Sequence, residues 1–300
     1  MKERTPPKLV PVQMGLMRIL YGRVGGPSLV ASLISFALRL SSYAQDRSHS
    51  FCRLFGKFVS FGFRVRVPLW LLVRIYKVRN LLSAFGRNLF SVSNRKPLES
   101  TDELTWIYIN LKSRVDRDAE FRCEMKKIGV TKPLRVDGVA HSNGMLGCAT
   151  AHLDALRLAS QQSGPLVVIC EDDVEFLIDS AGLLKAVNDF YLDPGLDVLC
   201  LTHIVEFDSV DVSSNLAIAQ RISTAAAYVL KPRSVLPIQL VFALSRWLLG
   251  IGTAPRYGAH DVLWWALQQG LMIFAFSQPR LAKQRVSFSN IYNIVRDAES

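Results

Sequence analysis

Three hundred residues, half of them apolar, are enough to bury a full core in one or two domains. The net charge of +11 sits entirely in the first third: Met1–Pro97 carries 17 Lys/Arg against Glu3 and Asp46, whereas Leu98–Ser300 carries 19 basic against 23 acidic residues. The body therefore needs no anionic partner on charge grounds, and five single cysteines without a Cys-x-x-Cys pair exclude a disulfide framework and argue against a zinc site.

Residues 1–97 alternate apolar stretches with arginines. Ser28–Leu38 and Val67–Val73 end at Arg39 and Arg74, well short of the ~20 residues that cross a bilayer. Ser42-Tyr43-Ala44 has the spacing of a signal cleavage site, but the stretch before the apolar run is too long for one. From Phe51 to Phe90, aromatic and aliphatic residues are mixed with Arg53, Lys57, Arg64, Arg66, Arg74, Lys77, Arg79 and Arg87. Three readings fit this composition: a basic helix lying on an anionic membrane surface, a helical cap on the body, or a poorly folded leader. No nucleic-acid-binding motif accompanies the charge, so nucleic acid is not an expected partner. Ser91–Asp102 reads as a linker, giving a basic segment 1–97 and a catalytic domain 98–300.

The body alternates strand and helix patterns. Strands are expected at Thr105–Leu111, Leu134–Val139, Leu166–Cys170, Val198–Thr202, Thr224–Leu230 and Met272–Phe276. Helices are expected at Arg117–Ile128, Cys148–Ser160, Leu183–Tyr191, Val235–Leu249 and Asp261–Gln269. This order indicates an α/β fold with a mainly parallel central sheet.

Chemistry concentrates at strand ends, where ligands of open α/β sheets bind. The apolar run Leu166–Cys170 leads into Glu171-Asp172-Asp173. Three carboxylates there repel unless a cation or solvent compensates, and Glu171 and Asp173, two apart on an extended chain, address one site. Hard oxygen ligands suit Mg²⁺ or Mn²⁺; a merely solvated acidic loop is the plainer alternative. At the end of the first strand, Arg114 and Arg117 are placed to receive phosphates and Asp116 to orient one of them, unless the run is an ordinary charged helix start. Gly144–His152 is a glycine turn entering a helix, with no dinucleotide or Walker fingerprint. His152, one turn in, reads as a positional residue.

Taken together, Ile109-Asn110-Leu111-x-x-Arg114-x-x-Arg117, Val136-Asp137-Gly138-Val139, Gly144-x-Leu146-Gly147-Cys148-x-x-x-His152 and Glu171-Asp172-Asp173 resemble glycosyltransferase family 25. Thr224–Leu230, Gln278-Pro279 through Gln284, and Ser287-x-Ser289-Asn290-Ile291 continue the resemblance in the same order. It covers about Leu104–Val295 and none of the first hundred residues. The resemblance implies an A-type glycosyltransferase fold and inverting transfer of a hexose, commonly galactose, from a UDP-sugar. The acceptor it implies is a glycan of lipopolysaccharide or lipooligosaccharide assembly, possible in lipid-linked form at the cytoplasmic membrane face. It assigns Glu171 and Asp173 to a Mn²⁺ or Mg²⁺ ion, and Asn110, Arg114, Arg117, Asp137, Gly147, His152 and Asp172 to the donor pocket. Inversion needs a general base. Asp261 is the candidate, with His260, Glu206 and Asp208 as alternatives; a helix N-cap is an equal reading of Asp261. Val235–Gly252 departs from the family pattern as a long apolar stretch that either meets a lipid-linked acceptor or thickens the core. The competing function is a non-catalytic glycan- or membrane-binding protein on the same scaffold.

Overall fold

The structure is a computed structural model that describes residues 73–78, 80, 96–268, 272–285, 287–289 and 294–296, all within one compact unit, Arg53–Ser300. The Ser28–Leu38 stretch, the Ser42-Tyr43-Ala44 site and most of the basic interfacial segment lie outside the described residues. No helix among the described residues is long and apolar enough to cross a membrane.

The central sheet has eight strands. In chain order they are β1 (Thr105–Asn110), β2 (Leu134–Asp137), β3 (Val167–Glu171), β5 (Val198–Cys200), β6 (Ile204–Asp211), β7 (Leu216–Ser223), β8 (Ala227–Leu230) and β9 (Phe274–Ser277). Across the sheet they lie in the order β2-β1-β3-β8-β5-β9-β7-β6. By pairing sense only β8 and β7 run against the rest, so the sheet is largely parallel in direction, and β2-β1-β3 is its wholly parallel portion. β3 is buried along Val167–Cys170 and emerges only at Glu171, as a central strand with a ligand end should.

Helices cover the sheet: α1 (residues 73–78), α2 (Val115–Lys127), α3 (Gly144–Ala159), α4 (Ser180–Leu192) and α5 (Pro232–Gly250). α3 starts four residues before the sequence signal at Cys148, because Asn143 caps it, its Oδ1 accepting from Leu146 N–H. Each large side chain sealed in the core, such as Phe121, Phe176 and Phe190, contributes about 2–3 kcal/mol of burial. Trp106, buried in this core, has its polar edge satisfied: Nε1 donates to the Thr101 carbonyl at 2.8 Å.

Three expectations change. The linker reading fails for its described part, residues 96–102. Leu98 is buried and exchanges hydrogen bonds with the Asn188 amide at 2.8 and 3.0 Å, and Thr101–Glu103 forms a 3₁₀ turn closed by a Ser100–Glu103 capping box. Residues of α1 pack on the same core, and Tyr76 donates to Asp193 at 2.6 Å. The single helix expected at Asp261–Gln269 is broken into α7 (His260–Leu263) and α8 (Trp265–Gln268), preceded by the turn α6 (Pro255–Gly258). The break lets both Trp264 Nε1 and Gln268 Nε2 donate to the Ile222 carbonyl on β7. Finally, α5 is a core helix: it lies against α3 and buries Val235, Ile238, Val241, Phe242, Leu244, Leu248 and Leu249. This accounts for its apolar sequence by packing.

Two short strands complete the site's framework. β4 (Val174–Phe176) follows the acidic turn and pairs antiparallel with β10 (Ala282–Gln284), setting Gln284 opposite Val174.

Candidate active site

β3 ends at Glu171, and Asp172-Asp173 form the turn into β4. Gln284 Nε2 donates to Glu171 Oε2 at 3.2 Å and to Asp173 Oδ1 at 3.5 Å, so the two carboxylates converge on one point. They remain reachable, with side chains 21% and 15% exposed. Asp172 faces elsewhere. Asn110 Nδ2 donates to its Oδ2 at 2.8 Å, and Arg117 Nη1 to its Oδ1 at 2.9 Å, with Asp173 Oδ2 at 3.4 Å from the same nitrogen. The Oδ1 of Asn110 is buried without a partner, an acceptor left over at the end of β1.

Arg117 thus contacts two of the three carboxylates, Asp172 and Asp173, and reaches Glu171 only through its charge. Burial, with the charge of Asp172 added, pushes the Glu171 carboxyl up to about 7 against the opposing pull of Arg117 and Gln284. Burial, with the charge of Glu171 added, pushes Asp173 up to about 7 as well. The pair is under-compensated in its ionised form, and a hard divalent cation would supply the missing charge.

Behind Glu171 stands a second group. His152 Nε2 is 3.0 Å from Glu171 Oε1, and His152 Nδ1 is 3.2 Å from the Tyr228 hydroxyl. Cys148 Sγ is 3.6 Å from the same Glu171 oxygen. Burial holds His152 and His260 down to about 3, so both imidazoles are neutral, and the His152–Glu171 contact is a hydrogen bond rather than an ion pair. Burial likewise keeps Tyr228 a phenol. It donates to Nδ1, and His152 Nε2–H donates to Glu171.

Asp261 lies on the first turn of α7, whose N-cap is Ala259, so the N-cap reading of Asp261 falls. Burial raises the Cys148 thiol most, and the charges of Glu171, Asp261 and Asp173 add to it, so Asp261 lies within electrostatic range of Cys148, a neighbour of Glu171. The alternatives fare differently. His260 is buried beside His152, ring centroids 4.7 Å apart. Glu206 is engaged by Ser223 Oγ at 3.0 Å, with Arg221 at 3.9 Å, on the neighbouring strand. Asp208 is exposed in the β6 bulge next to Phe207, whose φ is 76°. Neither Glu206 nor Asp208 contacts the acidic turn among the described residues.

The donor-pocket residues also separate. Arg117 joins the cluster, whereas Arg114 makes a two-pronged bond to Asp116, at 2.9 and 2.7 Å, which holds the Asp116 carboxyl down to about 2. Asp137 is exposed at the end of β2, paired with Lys112 at 3.1 Å. Gly147 is explained by packing: a Cβ there would meet the Val139 carbonyl at 2.3 Å. At Gln284, a shallow, half-open cleft is lined by residues that include Thr202, Ile204, Thr224 and Lys283. Thr224 there has φ 72°, a strained value for a β-branched residue.

Sequence reasoning gave Gln284, Tyr228 and Cys148 no role. Gln284 closes the Pro-x-x-x-x-Gln element and was visible only as part of the resemblance. Cys148 and His152 are four apart on one helix, hence on one face, a spacing that does signal a paired site.

No protein-family model matches this chain, and no curated protein matches it. Among solved structures, one from Bacillus anthracis, described as a glucose-1-phosphate thymidylyltransferase in complex with a sucrose, is similar over 59% of this chain and 69% of that chain, at 10% identity and a TM-score of 0.30. That likeness is too distant to assign a fold family or an activity.

Proposed function

We propose that residues 98–300 form an A-type, metal-assisted, inverting glycosyltransferase domain that resembles family 25 and moves a hexose, galactose foremost, from a UDP-sugar to a glycan acceptor. The observation that supports this reading best is the convergence of Glu171 and Asp173 on Gln284 at the carboxyl end of a central strand, where among the described residues the acidic turn is ion-paired by one guanidinium, Arg117. In the same reading the acceptor belongs to lipopolysaccharide or lipooligosaccharide assembly, and the basic segment 1–97 rests on the inner face of the cytoplasmic membrane.

The residues present fit Mn²⁺ or Mg²⁺: Glu171 and Asp173 offer accessible hard oxygens with surplus negative charge. Held there, such an ion supplies positive charge to a departing diphosphate. The chain's own groups do the rest. Arg117 and Asn110 fix Asp172, which the resemblance puts nearer the donor's ribose or sugar. Asp261 takes the proton of the acceptor hydroxyl as its oxygen bonds to the anomeric carbon. The bond from that carbon to the diphosphate breaks on the opposite face, its electron pair leaving with the nucleotide.

Transfer from radiolabelled UDP-galactose to a rough lipopolysaccharide acceptor, with Mn²⁺ and with EDTA, tests the reading. Metal-dependent transfer is expected, falling about 10²–10⁴-fold in Asp261→Asn while the folded state is retained. Transfer that EDTA leaves untouched, or no transfer from any of a panel of UDP-sugars by the folded full chain, contradicts it.

A further inference from the structure

Cys148, His152 and His260 come together from α3 and α7, with one ligand atom of each within 4.8 Å of the others. We propose that these three side chains form a site for a borderline-soft divalent cation of the Zn²⁺ class, with Glu171 Oε1 as the fourth ligand, so that Glu171 is shared with the hard-metal site its other oxygen forms with Asp173.

Four observations carry this. The donor set is one thiol and two imidazoles, the chemistry that selects Zn²⁺ over Mg²⁺ or Mn²⁺. The Nδ1 of His260 is sealed from solvent with no hydrogen-bond partner, although His260 as a whole is only 4% exposed. A buried nitrogen without a partner is a cost that a ligand removes. Glu171 divides its two oxygens: Oε2 receives Gln284, whereas Oε1 faces Cys148 at 3.6 Å and His152 at 3.0 Å. Tyr228 at 3.2 Å from His152 Nδ1 completes the pattern, since a ligating imidazole is held by a partner on its other nitrogen. With the ion bound, His152 Nδ1–H donates to the Tyr228 oxygen, freeing Nε2 for the metal, and the Cys148 proton leaves to solvent.

Tetrahedral Zn–N of ~2.0–2.1 Å and Zn–S of ~2.3 Å place ligand atoms about 3.3–3.7 Å apart. The three groups therefore draw inward from a spread of at most 4.8 Å. Cys148 is partly exposed, which leaves a path in. Such an ion would tie the start of α3 to α7 and fix the direction of Glu171.

The test is titration of the metal-stripped full chain with Co²⁺, read by the near-ultraviolet thiolate-to-cobalt band. One equivalent should develop the band, Zn²⁺ should displace it, and Cys148→Ser should abolish it. His260→Asn should weaken Co²⁺ binding about 10²-fold. Asp173→Asn should leave the band intact, which separates this site from the transferase reading: loss of transfer without loss of the band concerns only the hard-metal site. No band in the folded protein, or a band that survives Cys148→Ser because Cys123 or Cys52 supplies it, overturns the proposal. X-ray absorption of the Zn²⁺-loaded wild-type chain gives an independent answer even if Cys148→Ser does not fold: one sulfur scatterer supports the site, and none overturns it.

Discussion

Asp197 and the Glu171–Asp173 pair are carboxylates held in the same α/β body, but they are treated in opposite ways. Asp197, 3% exposed, receives Arg233 Nε at 2.7 Å on one oxygen and the Ile273 N–H at 2.8 Å on the other, joining the start of α5 to the residue that leads into β9. Glu171 and Asp173 share the neutral Gln284 amide; Asp173 has one guanidinium nitrogen at 3.4 Å, the other oxygen of Glu171 meets the uncharged His152 and Cys148, and both carboxyls are pushed up to about 7. A carboxylate held by a guanidinium and a backbone N–H of its own is structural. A pair left short of positive charge stores a deficit that a ligand can fill, and stability is given up for it.

That contrast has consequences of different sizes. The largest concerns transfer: Asp173→Asn should lower metal-dependent transfer about 10²–10³-fold, while its melting temperature without metal at pH 8 stays level or rises because a repelling charge is gone. A melting temperature that falls as steeply as for Asp197 would erase the distinction. Next, Asp197→Ala should cost about 2–3 kcal/mol in denaturant unfolding, since it strands the Ile273 N–H; Arg233, 44% exposed, turns to water and softens the loss.

The smallest effect is on pH dependence. Glu171 and Asp173 ionise near their ordinary 4.5 and 3.8 when unfolded but hold protons up to about 7 when folded. The folded state therefore binds more protons over that window. The stability from their protonated form is complete below pH 4 and is lost as pH rises through 7. Thermal melts of metal-free protein should fall from pH 5 to pH 8, and Mn²⁺ should raise the melting temperature more at pH 8 than at pH 5. A flat profile that Mn²⁺ does not alter would show the pair to be compensated already.

How far the site could be read from sequence follows the range of the interactions. Strand β3 and its acidic turn are legible because a continuous apolar run ends abruptly in carboxylates, and Asn110 and Arg117 because one ends the first strand and the other soon follows it. Gln284 is not, since only the pairing of β10 with β4 carries it across more than a hundred residues to Glu171. The joining of His260 to Cys148 and His152 is illegible for the same reason: the segments are far apart in sequence, and only the packing of α3 and α7 brings them into one cluster. The hairpin β6–β7 leaves little trace in sequence because Ile204–Asp211 is mostly exposed and shows no clean alternation, so the placement of Glu206 and Asp208 away from the acidic turn is not legible there. Trp264 broke an expected helix because its indole reaches the Ile222 carbonyl, a tertiary demand with no local trace.

The most direct measurement is calorimetric titration of UDP-galactose into the full chain with Mn²⁺, with EDTA, and in Asp173→Asn. Binding should appear with Mn²⁺ and vanish both with EDTA and in the variant. Equal affinity in all three conditions, or no affinity for any UDP-sugar in the folded protein, would contradict a metal-held diphosphate at the end of β3.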